Sequence, residues 1–532
     1  MVLVFGMQIV SKRPLIFLLL LGAFLYFANL GGPSIYILDE AKNAGCAREM
    51  MDRGNLVVPT FNGELRTDKP PLHYYFMMMS YNVFGVSAWG ARFFSAIAGL
   101  LLIALIYVQV GRIVNERVGF YSALVMLSSI QLTIQFHLAV PDPYLILCIS
   151  WCLLSFFRGF HDQPGQLWWM YVAAALGFLT KGPIAIVMTG LIVVTYLIIT
   201  KQLTLASLKR LKLLPGVLLF CAIALPWYVA VGNATHGEWL RGFFIGHNLE
   251  RYTSTMEGHG AFPLAPFVIL FAALLPFSVF IVQAVRLAWR ERTEKPFLLF
   301  CLVVGLAFGI FFSFSRTVLP SYPAPAIPFL AIVLGYFLYT LTQSHNFSKT
   351  GLTASLSVHL FIAIALLIGG IIALQQEKEL KDLLPVVWIF LPLSIGALLG
   401  WYFYRQGKIG AFIYSWAAGW MLVVVLFFYV AYPAIDGKNP VSRSMPALVG
   451  TYADRQIVSF HLFNPAYAFN LKKVVEVYHT PAALDSLAKG HNKVVVITRA
   501  QYLEELPKDI PLKIIYRSKD LFESSETVLM AN

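Results

Sequence analysis

Carboxylates and cations set beside prolines, or at the ends of apolar runs, are the first signs of chemistry in this 532-residue chain. Asp39 and Glu40 follow the first apolar run, where a carboxylate can accept a proton from an attacking hydroxyl. The plainer role for Asp39 is to cap the helix that follows. Asp68 and Lys69 precede Pro70 and Pro71, and paired prolines stiffen the backbone and fix the direction of Lys69. A fixed cation is what a departing phosphate needs as its charge develops; the alternative is an ordinary polar turn. Asp142 lies between Pro141 and Pro143, as an acid or as a helix start. Lys181, in FLTKGPIAI, is a lone cation between apolar runs, either a phosphate contact or a lysine snorkelling along the lipid surface. His236, His247 and His259 share one loop with Asn248 and Arg251. They could ligate a metal, although their spacing fits no helical or finger-like ligand pattern, and each reads equally as a solvent-facing loop residue. Arg316, followed by four prolines in SFSRTVLPSYPAPAIPF, is a further phosphate partner or an interface anchor.

The elements that must position these residues are membrane spans. Hydrophobic residues make up 58% of the chain and charged residues 13%, about half the share in a soluble domain. Mean hydropathy is +0.71. That composition excludes a cytosolic enzyme and a disordered chain. Runs long enough to approach a ~30 Å hydrocarbon core fall at 14–30, 91–110, 119–136, 143–157, 167–180, 183–200, 213–231, 264–285, 296–314, 322–341, 356–374, 384–404 and 409–432. With the N-terminus in the cytoplasm, the inside loops carry 16 Lys/Arg against four acids. The outside loops before the tail carry 11 against 13. The net charge of +13 is therefore the positive-inside signal of a polytopic membrane protein and not a nucleic-acid footprint. No cleavage site follows the first run, which reads as a retained span.

Three outside segments are too long to be simple connections. The first, about 31–88, contains LDEAKNAGCAREMMDRGN, an amphipathic helix suited to the membrane interface. The second, about 232–263, holds the three histidines. The third is the tail: residues 435–532 form a small α/β domain after a transmembrane domain of residues 1–434. In the tail KKVVEVYH, KVVVIT and LKIIYRS read as strands, and TPAALDSLAKG and AQYLEELP as helices. Five cysteines give no metal or redox spacing, and only Cys46 is clearly outside. No P-loop, HExxH or nucleotide fingerprint occurs, so no nucleotide cofactor is expected. All the clusters share the outer face, so an activated substrate must arrive attached to lipid.

Taken in order, the motifs resemble a known family. They are DEA after the first span, an AREM-x-x-x-GN-x-V-x-P segment, N-G then KPPL, and a P-D span start. FLTKGP, FF-x-x-H-N-x-x-R and FS-x-S-x-x-x-LP-x-Y-x-x-P follow. The set is similar to that of the bacterial aminoarabinose transferases and protein O-mannosyltransferases, membrane glycosyltransferases of GT-C type, over about residues 10–340. The resemblance implies about 13 transmembrane helices, an outside α/β tail, and transfer of a sugar from a polyprenyl-phosphate carrier with inversion. It makes Asp39 the catalytic acid, Asp142 a second loop acid and Lys69 the lysine on the lipid phosphate. Arg251 and His259 fall near the carrier phosphate and metal region. Two departures stand out: Asp68 replaces the family's usual glutamate before Lys69, and Val318 replaces a lysine before Leu-Pro, with Arg316 nearby.

The expectation is an inner-membrane glycosyltransferase with catalytic Asp39 and Asp142. Lys69, Arg251, Arg316 and Lys181 serve the lipid phosphate, and Asp68, His259 and His247 are candidate ligands of a divalent metal. The sugar is aminoarabinose-like or a hexose, and the acceptor is lipid A or another envelope glycan. A protein O-mannosyltransferase-like enzyme acting on exported proteins is one alternative. A lipid or glycan flippase is another, but it would place ionisable residues near the bilayer midplane. A non-catalytic assembly protein is the third.

Overall fold

The computed structural model describes residues 13–250, 262–315, 318–344, 347–490, 493–521, 523 and 525–532. Each of the 13 apolar runs is a helix or a bent pair of helices. Among the described residues eight helices are long and apolar enough to cross a membrane: Ala88–Ile113, Asp142–His161, Leu213–Ala234, Pro296–Ser313, Ala324–Gln343, Lys349–Gln376, Glu379–Arg405 and Ile409–Asp436. Ten qualify if two bent pairs count as one span each. In these, Glu116–Leu127 meets Ile130–Phe136 at 73°, and Ala265–Ala273 meets Phe277–Arg290 at 113°. Pro14–Tyr26, Gln166–Lys181 and Ile184–Ile199 have only 13, 16 and 16 residues. At 1.5 Å per residue they fall short of a ~30 Å core unless flanking residues or a thinned bilayer make up the difference. Hydropathy alone counts such segments as spans because it registers apolarity and not helix length.

The helix of the 31–88 segment, Leu38–Asp52, is buried on most of its circumference and not along one face alone. Ala41, Ala44, Ala47 and Met50 share one core with Tyr74 and Met77 of the Leu72–Phe84 helix. Tyr467, Phe469, Val495 and Ile497 of the tail belong to the same core. The charged side of the helix is buried because it is satisfied internally. Arg48 donates to the Ala468 carbonyl at 2.7 Å. Glu49 accepts from Thr60 Oγ1 (2.9 Å), Asn62 N (2.7 Å) and Gly63 N (3.2 Å). Those donors belong to a hairpin of β1 (Thr60–Phe61) and β2 (Glu64–Leu65). Its two-residue loop, Asn62-Gly63, has positive φ at both positions (55° and 83°), the conformation that makes Asn-Gly the favoured hairpin turn.

The tail carries a five-stranded mixed sheet in the order β4-β3-β5-β7-β6. Its strands are β3 (Gln456–Phe460), β4 (Glu476–Tyr478), β5 (Val494–Arg499), β6 (Lys513–Lys519) and β7 (Glu526–Ala531). β3 pairs in parallel with β4 and β5, and β7 runs antiparallel to β5 and β6. The sequence pattern marked β4, β5 and β6 only. β3 is a short run amid charged residues, and β7 ends the chain without a following turn signal. Pro481–Lys489 is the expected helix, whereas Ala500–Glu505 is a 3₁₀ segment in place of the second.

Candidate functional site

Asp39 sits in the first turn of the Leu38–Asp52 helix, whose N-cap is Ile37. It is not the N-cap residue, but as an acid in the first turn it still complements the helix dipole. Its side chain is about half exposed (52%) and lies 3.7 Å from the Arg66 guanidinium. Burial works to raise its carboxyl, but the charges of Lys69, Arg66 and Lys181 outweigh that and hold it below the ordinary value of 3.8. Asp39 therefore stands near three cations drawn from two segments of the chain, two of which also pair with Asp68 and Asp142.

Arg66, which the sequence reading passed over, organises this corner. Only 4% of its side chain is exposed, and it reaches Asp68 at 3.2 Å as well as Asp39. It also donates to Asn43 Oδ1 at 3.1 Å, on the same helix as Asp39. Its backbone carbonyl accepts from the buried Trp239 indole at 2.8 Å, which ties the first outer loop to the second. The available signal was position alone: Arg66 lies two residues before Asp68 and three before Lys69.

Asp68 meets His247 at 3.0 Å. Burial would raise the Asp68 carboxyl, and the His247 hydrogen bond with the Arg66, His247 and Lys69 charges drives it well below 3.8. His247 lies in a π-helical segment, Gly242–Glu250, of a kind frequent at functional sites. Trp227, Trp239 and Phe243 pack together to anchor that segment against Val57 and Leu65 of the first loop. Among the described residues no group of three or more His, Cys, Asp or Glu side chains is placed to hold a metal. Asp68 and His247 are thus two candidate ligands in contact, while His259 lies outside the described residues. Arg251 and Arg316 lie outside them too.

Asp142 opens the Asp142–His161 helix and is buried, with an ion pair to Lys181 at 2.7 Å. Lys181 therefore does not snorkel to lipid: 18% of its side chain is exposed, and its ammonium lies 5.4 Å from the centre of the Tyr322 ring. Gly182 makes this turn possible. Its φ is +76°, and a Cβ there would stand 2.4 Å from Phe243. Lys69 is itself buried, with 8% exposed.

Asp68, Lys69, Lys181 and His247 together line one end of a cleft of about 230 Å³. Leu145, Ile184, Val187, Phe308, Phe311 and Phe312 line the rest. A charged patch containing two lysines on an otherwise apolar slot suits an amphiphile with an anionic head. Among the expected site residues, the structure brings Asp39, Asp68, Lys69, Asp142, Lys181 and His247 to one end of the bundle.

Comparison with known proteins follows the same lines. Residues 68–229 match the family model described as dolichyl-phosphate-mannose-protein mannosyltransferase. The chain is 29% identical over 435 residues to an undecaprenyl phosphate-alpha-4-amino-4-deoxy-L-arabinose arabinosyl transferase of Pseudomonas savastanoi, covering 79% of each. It is 26% identical to a protein of that name from Pseudomonas fluorescens, covering 96% of this chain and 89% of the other. The crystal structure of ArnT from Cupriavidus metallidurans bound to undecaprenyl phosphate superposes with a TM-score of 0.82. The identity there is 20%, over 97% of both chains, so that likeness speaks for the fold. Over most of its length the chain is thus similar to the bacterial aminoarabinose transferases, whose fold it shares, and over residues 68–229 to the protein mannosyltransferase family.

Proposed function

We propose that this enzyme transfers a sugar, aminoarabinose-like in class, from a polyprenyl-phosphate carrier to lipid A on the periplasmic face of the inner membrane. The observation that carries the reading is the half-exposed carboxylate of Asp39, held beside Lys69 and Lys181, two cations that line a largely apolar cleft. The relatives named above, which span most of the chain, support the sugar and the carrier. The carrier tail lies along Phe308, Phe311 and Phe312, with its phosphate between Lys69 and Lys181. Arg251 and Arg316 are further candidates for that phosphate.

Asp39 orients the acceptor hydroxyl or phosphate and takes the proton if a hydroxyl attacks. The acceptor oxygen bonds to the anomeric carbon as the bond to the carrier phosphate breaks, which inverts that carbon. The leaving phosphate carries the electron pair, and the cations stabilise its growing charge. Asp142 keeps Lys181 charged and in place. A divalent ion held by Asp68 and His247 would add positive charge and tie the two loops, with His259 a further candidate ligand from the sequence.

The test is purified protein in lipid nanodiscs with an undecaprenyl-phosphate sugar and lipid A, read by product mass. Asp39→Asn should lower transfer by orders of magnitude and leave carrier binding intact. Near-normal transfer by that variant would refute the mechanism. Glycosylated peptide in place of modified lipid A would favour the O-mannosyltransferase-like reading, which the family model's description supports.

A further inference from the structure

We propose that the C-terminal α/β domain holds the catalytic loop in register through Asn62, a positioning residue for the transfer reaction. The inference rests on the function proposed above, but the contact on which it is built does not. The Asn62 side-chain amide donates to the Val475 carbonyl at 2.8 Å and accepts from the Val475 N–H at 2.7 Å. Val475 is buried and immediately precedes β4, the edge strand of the domain's sheet. One side chain thus satisfies both backbone groups of a residue more than 400 positions away, as a neighbouring strand would.

The geometry makes this a device for aiming the loop and not a simple surface contact. Asn62 caps a two-residue turn whose backbone is already fixed on Glu49, through the Asn62 and Gly63 N–H groups and Thr60 Oγ1. On the adjacent residue Arg48 reaches the Ala468 carbonyl, so helix, hairpin and domain form a closed joint. Past the turn, the Arg66 N–H donates to the Pro59 carbonyl at 3.0 Å and extends the hairpin by one step. The Arg66 side chain then holds Asp39 and Asp68, and Lys69 follows. A tilt of the hairpin is therefore carried directly into Asp39 and Lys69, which handle acceptor and carrier, and into Asp68. Displacements of about 1 Å at such groups can cost about 10²-fold in rate.

The left-handed backbone at Asn62 (φ 55°) supplies the test. Asn62→Gly keeps that conformation without strain and removes both bonds to Val475. Asn62→Asp keeps the acceptor for the Val475 N–H and loses the donor. Transfer should fall about 10-fold or more in Asn62→Gly, in line with the sensitivity above, and by less in Asn62→Asp. Assays run far below the thermal transition of each variant. Hydrogen exchange should rise at amides 60–69 and stay at the wild-type level in β5 and β7. A clamp that only stabilises would lower the transition temperature, speed exchange in the sheet too, and leave turnover unchanged; that result overturns the proposal. Unchanged exchange at 60–69 overturns it as well. If the wild-type protein transfers no sugar, the functional reading fails, and the exchange data still decide whether Asn62 fixes the loop.

Discussion

Glu40 and Arg92 form a bidentate ion pair with both partners buried: Nε to Oε1 at 2.7 Å and a terminal nitrogen to Oε2 at 2.8 Å. The remaining guanidinium donors go to the carbonyls of Leu30, Pro33 and Ser34. Glu40 Oε1 also accepts from the Ala139 N–H at 2.9 Å. The pair joins the end of the first span, the helix that carries Asp39, and the turn three residues before Asp142.

Removing one partner of such a pair leaves a buried charge unpaired, which typically costs about 3–5 kcal/mol. Glu40→Ala should therefore destabilise the protein by about that much, measured by proteolysis-monitored unfolding in detergent. Asp39→Asn, one residue away and half exposed, should not. Equal stability of the two variants would remove the structural role assigned to Glu40.

Lys69 and Asp39 should differ in kind when lost. Lys69→Ala removes a partner of the carrier phosphate in the ground state and in the transition state, so binding and turnover both weaken. The barrier should rise by about 2.7–4 kcal/mol, roughly 10²–10³-fold in rate. Equilibrium binding of an undecaprenyl-phosphate sugar, measured apart from transfer, separates this variant from Asp39→Asn.

The pH profile carries a signature of Arg66. In the folded protein burial works to raise the Asp39 carboxyl, and Lys69, Arg66 and Lys181 lower it below 3.8 on balance. A group depressed in this way contributes stability that is fully present above its unfolded value and is lost as pH falls through its folded value. Its ionised, proton-accepting form likewise persists below the ordinary carboxylate range. Arg66→Gln removes one of the opposing cations, so the acid limb of the transfer rate should move to higher pH. An unmoved limb would show that another group controls it.

Metal content gives a direct check on Asp68 and His247. Elemental analysis of purified protein should find a divalent ion, and Asp68→Asn and His247→Gln should each lose it. Wild-type protein without metal would leave the pair as a plain ion pair between loops. Topology is equally direct: reporters at residue 201 should be cytoplasmic, and at 240 and 480 periplasmic. A cytoplasmic 480 would undo the orientation.

Much of the site could be read from residue type and neighbours. Asp39, Lys69, Asp142 and Lys181 each stand at the end of an apolar run or beside proline, where a charge needs a reason, and they converge in space. Arg66 and Asn62 gave no such signal, because their roles lie in contacts to segments far along the chain. The pairing of Asp68 with His247 was likewise beyond spacing arguments, since an aromatic cluster of Trp227, Trp239 and Phe243 brings the two loops together. The burial of the polar side of the Leu38–Asp52 helix was beyond the sequence for the same reason. Its Arg48 and Glu49 look like a solvated face until the tail and the hairpin supply their partners.

The core shared by the first outer loop and the tail also has a consequence for biosynthesis. Tyr81 closes one side of it and Ala531 the other, so the two halves leave the ribosome on the order of 450 residues apart. At about 5–20 residues per second that is roughly half a minute to a minute and a half. During that interval the loop bearing Asp39 and Lys69 waits without its cover. A truncated chain never completes it, and its first loop keeps an uncovered apolar face.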